Sequence, residues 1–272
     1  MTKKKLRTVI IGVFLFLFSS TSLAMDKSVF QSMMDRLNAK DLEAVALFLA
    51  REKESLKQDP EYHVLLLNYA HLKRNNTLII ARGEPQEGDI AIQEKDTGEA
   101  VGFIRQGGDE IIVNAIAQTQ QALPAFSSRL DIHFGIVTIA AAIKRWDIVG
   151  NQLVDILTVS KSIKNQWKWG PIGSMEGEPR TFMLGNVQSR IQQLFRAEDE
   201  IADKMHIKVS EAMIQYYPEV IYGYSNLGVI YLATGKYDLA EKYINQALAI
   251  DPGDPVVKGN LKVLKQRKKS SE

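Results

Sequence analysis

Between residues 30 and 264, apolar side chains recur three and four positions apart in runs too short for any one helix to hide its own apolar face. Phe30, Met33, Met34 and Leu37 form one stripe; Leu42, Val45, Leu49 and Leu56 form the next; Tyr62, Leu65, Leu66, Tyr69 and Leu72 form a third. Asn38–Asp41 and Asp59-Pro60 separate them, and Arg74-Asn75-Asn76 ends the third. Proline disfavours helical geometry in the residue before it and suits a first helical turn, so Pro60 reads as a stop followed by a start. The period resumes with Ile111, Ile112, Ala115, Ile116 and Leu123, and then with Leu130, Phe134, Val137 and Ala141. Trp146, Val149, Leu153 and Ile156 follow, then Phe182 to Leu194 and Ile201 to Tyr216. Such stripes must be buried against one another. The spacing therefore predicts a mainly α chain, an array of α/α hairpins.

Two segments break this period. In residues 77–108, Gly83, Pro85 and Gly88 interrupt the chain, Ile90 and Ile92 alternate with polar or small residues, and Lys95-Asp96-Thr97-Gly98 offers a turn before a returning strand at Ala100 to Ile104. This pattern predicts a small inserted antiparallel β-meander. A sheet so small is marginal alone and is expected to lie against a helical face. Residues 165–180, with three Gly and two Pro, read as a long ordered loop. In an extended segment Trp167 and Trp169 would point the same way, as an aromatic anchor for a partner or as a plug onto the chain's own core.

At the other end, Lys3, Lys4, Lys5 and Arg7 precede ten mostly apolar residues, Val9 to Phe18, and small side chains stand at Ser22 and Ala24. This is the pattern of an export signal, residues 1–24, cut before Met25. About 20 apolar residues span a bilayer, so no permanent membrane insertion is expected after the cut. An uncut N-terminal anchor is the alternative. The expected location is the periplasm or the exterior. Cutting removes four positive charges and moves the formal balance from +2 to −2. Near-neutrality argues against a nucleic-acid partner, which needs a basic surface. The dense basic run, Lys258 to Lys269, reads as a solvated helix end within a capping helix and tail at 255–272.

The chain has no cysteine, which removes a thiolate nucleophile, a Cys-ligated zinc and an iron–sulfur centre. His63 and His71 are eight apart, too far for a metal pair on adjacent helical turns, and His133 and His206 stand alone; no metal or cofactor is expected. The glycine-rich phosphate and dinucleotide motifs and the serine and zinc hydrolase motifs are missing. Glu84 and Glu87 sit among turn residues, where carboxylates cap and solvate. Asn75-Asn76-Thr77 matches a glycan acceptor triplet, a common one.

The most informative stretch is IYGYSNLGVIYLATGKYDLAEKYINQALAIDPGD, residues 221–254. Tyr224, Leu227, Gly228 and Tyr231 fall on one helix, Ala240, Ile244 and Ala247 on the next, and Pro252 follows. Gly228 and Ala240 leave room for close approach, Leu227, Tyr231 and Ile244 fill the space between, and Gly235 suits the reversal. This pattern resembles the tetratricopeptide repeat, a helix–turn–helix unit of 34 residues. Upstream the likeness is looser. Tyr62, Leu65 and Tyr69 repeat the spacing of Tyr224, Leu227 and Tyr231, and Pro218 lies one repeat length before Pro252. Degenerate repeats are thus expected at 25–76, 109–164 and 181–254. As a whole the chain resembles exported bacterial proteins that carry this repeat.

The resemblance implies a protein or peptide partner held on the concave face of first helices. Carried over position by position, that face offers Tyr222, Ser225, Asn226, Val229, Leu232 and Ala233, with Asn226 matched to an asparagine that holds a peptide backbone in some members. Tyr222 and Ser225 replace the basic residues that clamp a terminal carboxylate. The partner-binding candidates are Tyr222, Asn226, Val229, Trp167 and Trp169. A binding module and not an enzyme is expected. Array faces also allow a homo-oligomer or a structural part of an envelope complex. An unfamiliar enzyme would have only the β insert and the 165–180 loop to host its chemistry.

Overall fold

The computed structural model describes residues 24–75, 77–80, 89–106, 108–171 and 173–271. The export signal apart from Ala24, Asn76 of the glycan triplet, and Gly83 to Gly88 with Glu84 and Glu87 lie outside the described residues.

Helices α1 (Lys27–Asn38), α2 (Leu42–Glu52) and α3 (Pro60–Arg74) come first. Each starts where an acidic side chain accepts an otherwise orphaned amide: Asp26 from Ser28, Asp41 from Ala44, Asp59 from Tyr62. Strands β1 (Thr77–Ile80), β2 (Ile90–Gln93) and β3 (Ala100–Gln106) follow. The chain continues as α4 (Glu110–Ala122), a 3-10 turn at Leu123–Phe126, α5 (Leu130–Ala142) and α6 (Trp146–Ser162). After the loop come α7 (Pro179–Phe195), α8 (Glu200–Tyr216), α9 (Ile221–Ala233), α10 (Tyr237–Ile250) and α11 (Pro255–Ser271). Pro179 stands in the first turn of α7, and Glu178 and Asp199 cap α7 and α8.

The helices pack as hairpins laid side by side. α3 packs on α4, α5 on α6, α7 on α8 and α9 on α10; α8 bridges neighbouring pairs through α6 and α9, and α11 closes the end against α10. Phe30, Val45 and Leu65 centre an N-terminal core, Leu130, Leu153, Ile156 and Ile191 a large central one, and Ala240, Ile244 and Leu264 a C-terminal one. The fold is thus a tetratricopeptide-like helical array with a small β insert.

The insert departs from the expected meander in two respects. Its order is β1-β3-β2, all antiparallel, with Thr77 opposite Gln106 and Ile90 opposite Ile104. A four-residue turn containing Gly98, at φ +72°, forces β2 beside β3, whereas the longer β1–β2 connection leaves β1 free to take the other edge of β3. Among the described residues no helix packs on this sheet as the helices pack on each other, and Ile90 and Val101 are 58% and 51% exposed.

Within residues 221–254 the packing roles follow the spacing. Leu227, Ala240, Ile244 and Ala247 are fully enclosed, and Tyr224 and Tyr231 pack against the same C-terminal core. Tyr231 also stacks on Tyr243 with ring centroids 5.7 Å apart. Pro252 lies in the turn between α10 and α11. Gly228 is the contact that sets the helix separation: a Cβ there would lie 2.8 Å from Cγ1 of Ile244. Gly228→Val is therefore expected to destabilise the chain by roughly 1–3 kcal/mol through overpacking. Urea unfolding measures this; an unchanged midpoint would contradict the close approach.

Candidate functional site

Residues 163–171 are tied to the start of α5. Lys168 donates its amide to the Ser128 carbonyl at 2.8 Å, and Leu130 donates to the Lys168 carbonyl at 3.0 Å, a short parallel bridge. Behind it, consecutive left-handed residues Lys164 (φ 53°) and Asn165 (φ 58°) turn the chain. Asn165 accepts a hydrogen bond from the Tyr217 hydroxyl at 2.6 Å, and that hydroxyl also meets Ser160 Oγ at 2.6 Å. The loop is thereby ordered by both main-chain and side-chain bonds.

Trp167 drives the loop into the core. It is 4% exposed and meets the edge of His133 at 5.5 Å between centroids. His133 Nε2 lies 2.9 Å from the Ser127 carbonyl, which needs a donor, and Nδ1 lies 2.8 Å from Gln152 Nε2, which donates; this identifies a neutral ring protonated on Nε2. Burial pushes the His133 pKa down, consistent with that state. The expected two-tryptophan anchor is therefore divided. Trp167 is an interior plug, while Trp169 stays at the surface, half-buried and edge-on to Phe182 at 5.4 Å.

Arg129 fixes the same corner from beneath. Its guanidinium binds Asp131 in fork geometry, Nε to Oδ1 at 2.9 Å and Nη2 to Oδ2 at 2.8 Å, and reaches Glu61 Oε1 on α3 with Nη1 at 2.7 Å. The three side chains are only 10%, 14% and 21% exposed, respectively. Desolvation alone would lower the Arg129 pKa, but hydrogen bonds and charge from Asp131 and Glu61 more than offset it and hold the pKa above its ordinary value. The loop backbone presses on this triad at Gly170, where a Cβ would lie 2.4 Å from Arg129 Nη2.

Between these parts runs a groove of about 340 Å³. Met34 of α1, Val64 and Leu67 of α3, and Ile132 and Ile139 of α5 supply apolar walls; Asn68, His71 and Thr138 add polar groups; Trp169, Gly170 and Pro171 close one side. Asn68 is exposed, with its Nδ2 donating to the Val64 carbonyl. His71 Nδ1 is enclosed, with no hydrogen-bond partner among the described residues. On the far side of Thr138, Arg190 of α7 donates to Thr138 Oγ1 at 3.1 Å. Burial lowers the Arg190 pKa, and among the described residues no carboxylate comes within ion-pair distance of it. A second hollow, about 410 Å³, is rimmed by Lys53, Glu54, Lys57, Gln118 and Gln121. Those long side chains would lose much rotamer freedom on ordering, so it is the poorer recognition surface.

The remaining sequence candidates lie further along the same succession of alternate helices. Tyr222 is 36% exposed, and Val229 is half-buried. Asn226 is 7% exposed, and its amide is paired both ways with Gln188 of α7: Gln188 Nε2 to Asn226 Oδ1 at 2.9 Å and Asn226 Nδ2 to Gln188 Oε1 at 2.8 Å. Asn226 therefore joins two repeats and is not presented to a peptide backbone. Apart from Trp169, the groove residues and Arg129 were absent from the sequence candidates. Their one local signal is Arg-x-Asp at a helix start, and Arg145 with Asp147 repeats that fork while remaining exposed, so the motif alone does not reveal which copy is interior.

Two outcomes test this geometry. Arg129→Met leaves two shielded carboxylates unpaired and is expected to destabilise by about 3–5 kcal/mol in urea unfolding; a loss below 1 kcal/mol would contradict an interior triad. His206 is 2% exposed, and burial pushes its pKa down to about 4. The unfolded chain therefore takes up this proton first as pH falls below about 6.5, and stability drops until about pH 4, by ~3 kcal/mol in all. His206→Leu is expected to flatten that slope; His63 and His133, also lowered by burial, leave a residual one.

Among the described residues no three His, Asp or Glu side chains converge as metal ligands, and no helix is long and apolar enough to cross a membrane. A comparison with curated proteins finds no match. A comparison with protein families matches residues 221–254 to the tetratricopeptide repeat. That match covers α9, its reversal and α10, the two helices that meet at Gly228 and Ile244. The chain is a protein containing a tetratricopeptide repeat.

Proposed function

We propose that this chain is an exported scaffold that holds a segment of a partner protein in the groove between α1, α3, α5 and the Trp169–Pro171 wall. The carrying observation is the groove itself: apolar walls, a few hydrogen-bonding groups at its lip, and an aromatic side chain at one edge. That is the composition of a recognition cleft, in which buried apolar area supplies affinity and sparse polar groups set orientation. Tetratricopeptide units are typically non-catalytic interaction scaffolds, which supports the same reading. Export is supported by the basic, apolar and small-residue order of residues 1–24.

A second reading, self-association, is favoured by Val256 and Val263 on α11, which are 63% and 41% exposed and seven residues apart on one face. The two readings separate in one experiment. Partners are captured from a cell-envelope extract with the wild-type chain, with Trp169→Ala, with Asn68→Lys and with the α11 variant Val256→Glu/Val263→Glu. Groove binding is expected to lose at least about tenfold of the captured partner in the first two variants, equivalent to ~1.4 kcal/mol, and nothing in the third. Capture of further copies of this chain alone, abolished by the α11 changes, would instead establish self-association.

A further inference from the structure

Among the described residues Asp59 is the one acidic residue that is buried. It is 3% exposed, and among the described residues no Lys, Arg or His lies within ion-pair distance of its carboxylate. A buried carboxylate is retained when paired or heavily hydrogen-bonded. Asp59 Oδ1 accepts the Tyr62 amide at 3.1 Å as the cap of α3. Oδ2 faces elsewhere: it accepts the backbone nitrogen of Met25 at 2.7 Å, a contact across 34 residues of chain. The Met25 side chain itself packs against the N-terminal core that contains Phe30, Val45 and Leu65. Both ends of this residue are therefore seated.

Met25 is also the residue that export processing would expose. We propose that Asp59 is a receptor for the processed N-terminus: cleavage between Ala24 and Met25 turns the nitrogen already lying on Oδ2 into an α-ammonium and completes a buried ion pair that the uncut chain lacks. The step is hydrolysis by an endopeptidase that selects small side chains at Ser22 and Ala24. Water adds across the peptide bond; the hydroxyl oxygen stays with the Ala24 carboxylate, and Met25 leaves as an amine that takes up a proton. An α-amine is ordinarily protonated below about pH 7.7–8.0, so the group is cationic at neutral pH. The amide contact is already charge-assisted through the carboxylate; the α-ammonium adds direct attraction between opposite charges in a partly buried setting. The partial positive charge at the α3 N-terminus favours the same carboxylate.

The inference rests on the export reading and goes beyond partner binding. Because α1 begins two residues after Met25 and carries Met34 into the groove, processing would fasten one wall of the proposed binding site.

The test has two arms. In the first, the full chain is expressed with its own residues 1–24 and the intact mass of the exported product is measured; a product beginning at Met25 is expected. In the second, the chain beginning at Met25 is compared with one carrying Gly-Ser ahead of Met25, each with Asp59 and with Asp59→Asn. The extension keeps the Met25 amide but moves the charge away, and asparagine keeps the α3 cap. With Asp59 the extension is expected to lower the melting temperature by roughly 2–6 °C; with Asp59→Asn it is expected to change nothing. Equal melting with and without the extension, or the same drop in both backgrounds, overturns the receptor while leaving export standing. Retention of residues 1–24 overturns export and the receptor together, and a product that starts elsewhere overturns the receptor alone.

Discussion

A buried guanidinium organises the most distinctive corner of this molecule. Arg129 precedes α5, forks onto Asp131 two residues later and reaches Glu61 on α3. Shielded ions are tolerated only when their hydrogen bonds are nearly complete. The geometry of the triad is therefore tightly specified, and so is everything resting on it. The 163–171 loop rests on it directly, through the Lys168 bridge and the close contact at Gly170. A loop held in this way behaves as a wall. Affinity for a partner is then not reduced by the entropy of ordering a mobile lid.

The stacking of hairpins supplies the rest. Each pair buries one apolar stripe internally and another against its neighbour, so the array gains stability by adjacency rather than from one closed core. Lateral polar contacts keep the alternate helices aligned: Arg190 with Thr138 between α7 and α5, and Asn226 with Gln188 between α9 and α7. Thr138, which accepts from Arg190, also lines the groove. On the proposal for Asp59, the first helix joins this groove in its final form only after processing, which links the maturity of the chain to the completeness of its binding surface.

The helical hairpins were legible in the sequence because burial and backbone geometry demand the same residues at the same spacing. Leu227, Ala240, Ile244 and Ala247 are enclosed where their period places them, and Gly98 turns where a left-handed residue was needed. Strand order was not legible, since a long connection between β1 and β2 carries no signal about which edge the first strand takes. The site was largely hidden for the same reason. Glu61 and Arg129 stand 68 residues apart, and nothing local marks them as partners. Trp167 and Trp169 illustrate the limit of periodicity: alternation requires an extended chain, whereas Trp167 enters the core beside His133 as Trp169 turns to Phe182. Asn226 carried the right residue type for peptide recognition, and the neighbouring repeat uses it.

The central claim is that a partner lies in the groove bounded by α1, α3, α5 and Trp169. Its most direct measurement places a photo-crosslinking side chain at Asn68, within the groove, and in a separate protein at Glu43, exposed on α2. The account expects one partner band, formed from position 68, absent from position 43, and suppressed by excess unlabelled chain. Equal crosslinking from both positions, or crosslinking from position 43 alone, would contradict it.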